Sequence, residues 1–184
     1  MGARKPKRRA YLSDFVPAAD GSYRYGGAHY RFTGTAEERK HLLRRLWILT
    51  AAACLCSVGG GLLMPPNGIG NCFYVLLPLA AEVGAFGSVV WALVRLTAAG
   101  HPVRRYVYEQ TAAALPRRSL IAAAAAGVGA VGALICLLFG GEGQALGRTL
   151  GYIGSRLLGG AAAAVLFRAA KSGRWEEQRH DGAA

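Results

Sequence analysis

The sequence predicts an all-α integral membrane protein: a four-transmembrane-helix bundle with both ends in the cytoplasm (N-in/C-in). Three observations carry that expectation. Of 184 residues, 53% are hydrophobic and only 17% charged, with 26 glycines, a balance unlike that of a soluble domain of this length. The apolar residues fall in four long blocks rather than in an amphipathic rhythm, the pattern of helices solvated by lipid. The 22 lysines and arginines lie almost wholly outside those blocks and give a formal charge of +12.

Residues 1–45 read as a basic cytoplasmic segment. Arg4, Lys5, Lys7, Arg8 and Arg9 surround Pro6 in a charge run with the composition of a solvated arm. From Ser22 to Phe32, aromatic and polar residues alternate about Gly26-Gly27. That pattern predicts a β-hairpin over 22–32 with the glycines as its turn. Tyr23 would then face Tyr30, and Arg24 and His29 would share the other side. An isolated hairpin is marginal in water, so the ribbon is expected to lean on the membrane interface, where Tyr and Arg suit the headgroup level. Thr35-Ala36-Glu37-Glu38 is a capping-box sequence. A juxtamembrane helix is therefore expected from about Ala36, running through Arg39, Lys40, Arg44 and Arg45 into the first span.

The spans are expected at 46–64, 72–94, 119–139 and 149–167, about 19 to 23 residues each. At 1.5 Å per residue each crosses a hydrocarbon core of about 30 Å. Backbone groups find no water there, which leaves the helix as the economical form. Pro65-Pro66-Asn67-Gly68 stops the first span, and Arg156 interrupts the fourth. Between the second and third spans, the stretch Thr97–Pro116 is expected to hold a short basic helix. Residues 168–184 read as a cytoplasmic tail.

Orientation follows from the basic residues of short flanking segments. Residues 1–45 hold eleven, residues 95–118 five and the tail four, against none in 65–71 and Arg148 alone in 140–148. A shift of 73 residues also superposes Arg44-Arg45 on Arg117-Arg118, Gly59 on Gly132 and Gly87 on Gly160. That would be a parallel repeat, although two hairpins obeying one charge rule match at their boundaries in any case.

Two charges stand where charges are costly. Glu82 lies near the middle of the second span and Arg156 inside the fourth; a charge at the centre of a lipid-facing helix costs about 2.5–3.5 kcal/mol on insertion scales. Their depths agree closely enough for an intramembrane pair. Pro78 precedes Glu82 by one turn on the same face and marks an expected helix kink. Gly84, Gly87 and Ser88 take the opposite side of that helix, which hints at two protein-facing sides. On the fourth span, Gly147, Gly151, Ser155, Gly159 and Ala163 form an i, i+4 ladder of small residues for helix packing.

The four cysteines, Cys54, Cys56, Cys72 and Cys136, lie within or at the edge of apolar blocks, with no zinc-like spacing. They read as packing residues, with a Cys72–Cys136 bridge near the outer surface left open. The first apolar block begins only after about 45 residues, so a cleavable secretory signal is not expected. Met1-Gly2 lacks the Ser or Thr that myristoylation wants, because Pro6 stands there.

Phosphate-binding, zinc-protease and Ser-His-Asp patterns are missing from the sequence. No catalytic residue, metal site or cofactor is expected, and the chain is not expected to be an enzyme. Headgroup contacts are assigned to Arg4, Lys5, Lys7, Arg8, Arg9, Arg44, Arg45, Arg104, Arg105, Arg117 and Arg118. The expected partners are a bilayer with anionic headgroups and another membrane subunit or a second copy, with nucleic acid not expected. The expected location is the cell membrane, the bacterial cytoplasmic membrane in particular, as a multi-pass protein. The function expected is that of a non-enzymatic accessory or assembly subunit, or a homo-oligomer, acting through helix packing. Its rival is a small-solute or ion transporter or channel using Glu82 and Arg156.

Overall fold

The computed structural model describes residues 15–17, 21–64, 72–139 and 146–178. The arm bearing Arg4, Lys5, Lys7, Arg8 and Arg9 and the proline loop 65–71 lie outside the described residues. In chain order the elements are β1 (Phe15–Pro17), β2 (Tyr23–Tyr25), β3 (His29–Phe32), α1 (Ala36–Leu63), α2 (Phe73–Ala98), β4 (Val103–Arg104), α3 (Arg105–Gln110), α4 (Leu115–Phe139), α5 (Leu146–Ser172) and β5 (Trp175–Gln178). Four helices are long and apolar enough to cross a membrane.

Each expected span coincides with one of these helices, the first and second overrunning theirs by one residue at Met64 and Cys72, and the helices run further at the opposite end. The first begins where the capping box places it: the Glu38 amide donates to Thr35 Oγ1 at 3.1 Å, and the Thr35 amide donates to Glu38 Oε2 at 2.8 Å. The pair satisfies two of the amides left over at a helix start. The short helix expected in Thr97–Pro116 is α3. The helix α2 runs through Pro78 without interruption.

The long helices form a ring in the order α1–α5–α4–α2, in which α1 and α2 touch more lightly than the other neighbours. The helices α2 and α5 therefore face each other across the bundle. Its interior is layered. Leu46, Val89, Leu93, Leu96, Leu115 and Leu166 fill one end. Ala53, Phe86, Ala122 and Ala163 form a thin middle layer, and Val75, Ala133, Cys136 and Tyr152 fill the far end. Outer faces carry exposed Leu55, Val58, Leu62, Val128, Val131, Leu157 and Leu158, which is the lipid-facing composition of a spanning helix.

The all-α expectation is corrected at the leucine-rich end, where a three-stranded antiparallel sheet of order β4-β3-β5 covers the bundle. The expected 22–32 hairpin is corrected with it. Both of its strands form, but β2 pairs with β1, Phe15 opposite Tyr25, while β3 pairs with β4 on one side and β5 on the other. The physical reason is aromatic burial. Tyr30 stacks on Tyr108 with ring centroids 4.0 Å apart, Phe32 meets Trp175 edge-on at 5.6 Å, and Tyr108 lies 5.6 Å from Trp175. Trp175 in turn packs beside Leu42 and Leu43. A two-stranded ribbon offers Tyr30 and Phe32 no such surface. Within the expected tail 168–184, α5 continues to Ser172, and residues 175–178 are the strand β5.

Candidate functional site

Among the described residues the bundle interior holds buried charge at one level, its other buried polar side chains on the long helices being the hydroxyls of Thr50, Ser57, Ser119 and Thr149. Counted from the far ends of their helices, Glu82 is nine residues into α2 and Arg156 ten into α5. That is ~14 Å and ~15 Å at 1.5 Å per residue, about half the depth of a hydrocarbon core. Both residues are 1% exposed. Arg156 Nη1 donates to Glu82 Oε2, an ion pair across the diagonal of the ring. Its other terminal nitrogen, Nη2, donates to the carbonyl oxygen of Ser57 on α1 at 2.6 Å. The guanidinium also lies 4.8 Å from the ring centroid of Tyr152, one turn earlier on α5, a cation–π contact in a dry setting. One arginine thus ties α5 to both α1 and α2.

Close helix approach makes this reach possible. On α1, a Cβ on Gly60 would collide with Ser155 Oγ and fall 2.9 Å from Arg156 Nη2, so the glycine is what admits the guanidinium. On α5, a Cβ on Gly159 would lie 3.3 Å from Cys56 Cβ and 3.7 Å from Glu82 Oε1. Four buried polar atoms around the pair have no hydrogen-bond partner: Glu82 Oε1, Arg156 Nε, Ser57 Oγ and Tyr152 Oη. Buried polar groups usually find one, so this level has hydrogen-bonding capacity that neighbouring side chains leave unused.

The ladder residues are placed unevenly. Gly159 and Ala163 are buried, and a Cβ on Gly151 would lie 3.4 Å from Leu63 Cδ1. Gly147, at the exposed end of α5, meets nothing within 4 Å. The helix that the ladder admits is this chain's own α1. Pro78 is buried in α2, and a Cβ on Gly129 of α4 would lie 3.6 Å from its Cβ.

Of the headgroup arginines within the described residues, Arg44, Arg45, Arg104, Arg105 and Arg117 are exposed, and Arg105 pairs with Glu109 at 2.9 Å. Arg118 is placed differently from these five. It is partly buried, donates to the Ser88 carbonyl oxygen at 2.7 Å and lies 5.4 Å from the Trp91 ring centroid. The carbonyl takes one of its five donors and the indole face lies under the guanidinium plane.

Sequence reasoning missed Ser57, Gly60 and Tyr152 as parts of the site. Tyr152 had a signal, since it shares the polar face of α5 one turn from Arg156. Ser57 contributes a main-chain oxygen, which no side-chain pattern announces. Among the described residues, no group of three or more His, Cys, Asp or Glu side chains is placed to hold a metal ion.

The described residues have the build of a multi-pass helical membrane protein, with one buried charge pair among them about half-way along the helices. Comparison with family models, curated proteins and solved structures returns no match for this chain.

Proposed function

We propose that this protein is a non-enzymatic subunit of the cell membrane, with both termini in the cytoplasm, that works by presenting α2 to a helix of another membrane protein or of a second copy. The observation that carries this reading is the outer face of α2. Ala80, Gly84 and Gly87 lie on one stripe at i, i+4 and i+7, all exposed, and a Cβ on either glycine meets nothing within 4 Å. Trp91, 47% exposed, continues the stripe toward the sheet. Small residues four apart let a second backbone approach closely in lipid, where packing rather than hydrophobicity drives association. The α5 ladder is spent inside the chain and adds nothing to this reading. The exposed arginines at the sheet end would rest on anionic headgroups.

The test is gentle detergent extraction of the wild type and of Gly87→Leu, followed by sizing and mass spectrometry of the complexes. The expected result is a partner or second copy at fixed stoichiometry that Gly87→Leu removes, with thermal unfolding of the chain itself unchanged. A wild type that travels alone as a monomer would sink the reading.

A second reading, an ion or small-solute transporter, is favoured by the four unpartnered polar atoms around Glu82 and Arg156. It requires that Glu82→Gln abolish flux into liposomes at unchanged abundance. Equal flux in wild type and variant counts against it.

A further inference from the structure

We propose that Cys72 and Cys136 are a disulfide-forming pair that braces α2 to α4 at the end of the bundle away from the sheet. Cys136 Sγ donates to Cys72 Sγ across 3.2 Å, and the Tyr74 hydroxyl lies 3.2 Å from Cys136 Sγ. The sulfurs would need to close by only about 1 Å to bond. Main-chain packing sets that separation. Pro78 has no amide to give the Tyr74 carbonyl. Gly132, one turn before Cys136, packs directly over that carbonyl, where a Cβ would fall 2.6 Å from the oxygen. The first turn of α2 is thereby pressed onto the last turns of α4. Cys72, the residue capping α2, is partly exposed, whereas Cys136 is 3% exposed. A reagent in water reaches the first, and the second stands behind it.

The chemistry is thiol–disulfide exchange with a disulfide oxidant, either a small-molecule disulfide or the oxidised dithiol of another protein. The Cys72 thiolate attacks one sulfur of the oxidant, breaks its S–S bond and releases one thiol. Cys136 then attacks the Cys72 sulfur of the mixed disulfide and releases the second. Two protons and two electrons leave the cysteine pair, and the oxidant ends as two thiols. With both termini inside, this end faces outward, into the kind of compartment where disulfides persist. The inference is independent of the helix-docking reading.

The experiment treats the full chain in membrane vesicles with oxidised glutathione. Remaining thiols are then blocked with N-ethylmaleimide in denaturant, the sample is reduced, and newly exposed thiols are counted with a heavy maleimide. Wild type is expected to take two labels and to yield a peptide joining residues 72 and 136, while Cys72→Ser takes none. Cys54→Ser/Cys56→Ser, which alters the other two of the four cysteines, keeps both labels. Wild type taking no label, or one label from an arrested mixed disulfide, would overturn the proposal, as would two labels surviving in Cys72→Ser. If that variant fails to fold, the wild-type peptide map decides alone.

Discussion

Glu82 and Arg156 illustrate how differently the two halves of a buried pair behave when separated. Taking one charge out of a paired, dry site leaves the other uncompensated, at a cost of about 3–5 kcal/mol, whereas replacing both by apolar groups is often neutral. Glu82→Ala is therefore expected to lower the thermal midpoint and the abundance of the chain, and Glu82→Ala/Arg156→Met to recover most of both. A single variant as stable as wild type would mean that the pair does not hold α5 to its neighbours. Tyr30 carries a second residue-scale expectation. Its burial in the sheet and its 3.1 Å hydrogen bond to Glu177 Oε2 raise its phenol above the ordinary value of 10.0. The folded state thus favours the neutral phenol. The resulting stabilisation is fully present below the unfolded value and is lost as pH rises through the folded one. Ultraviolet titration of tyrosinate should lose one late-titrating group in Tyr30→Phe, and an unchanged curve would refute the assignment. At this scale the sequence was informative about charges, because a Glu or Arg in an apolar run stands out. It was silent about the Ser57 carbonyl, and it left the Cys72–Cys136 contact open because shared depth at an outer edge does not show that two helices meet there.

At the scale of elements, glycines separate into those that admit a neighbour and those that face open space. Gly132→Val should push α4 off the Tyr74 carbonyl, cost about 1–3 kcal/mol by overpacking and abolish the Cys72–Cys136 contact. Thermal unfolding and the thiol count together check this, and a variant with wild-type values in both would remove Gly132 from the argument. Thr35→Ala should cost about 1 kcal/mol through the lost cap. Helix limits were legible where a local rule fixes them, as at Thr35 and Glu38. The partner of the α5 ladder was not legible, because small residues announce close approach without naming the neighbour. The hairpin was misread for a related reason. Gly26-Gly27 is a strong local turn signal, but the aromatic surface that captures β3 comes from Tyr108 and Trp175, far along the chain.

Taken whole, the ring order α1–α5–α4–α2 has the neighbours that a 73-residue repeat would require, since exchanging α1 with α4 and α2 with α5 leaves it unchanged. Under that shift Glu82 falls on position 155, beside Arg156, in keeping with their common depth. The repeat-related glycines do not share environments: Gly59 and Gly87 face open space, while Gly132 and Gly160 are packed. Orientation belongs to this scale as well. A reporter fused after β5 is expected to be active only in the cytoplasm, and activity only outside would invert the proposed topology. The sheet β4-β3-β5 then has a consequence for biosynthesis. Its three strands come from before α1, from between α2 and α4, and from after α5. In the proposed topology a single failed insertion would strand β5 across the membrane from β3 and leave the sheet open. Until the ribosome has made Trp175, the aromatic face of β3 also lacks its cover. In the proposed topology, closure of this sheet is therefore the last step of assembly, since its final strand follows the last helix.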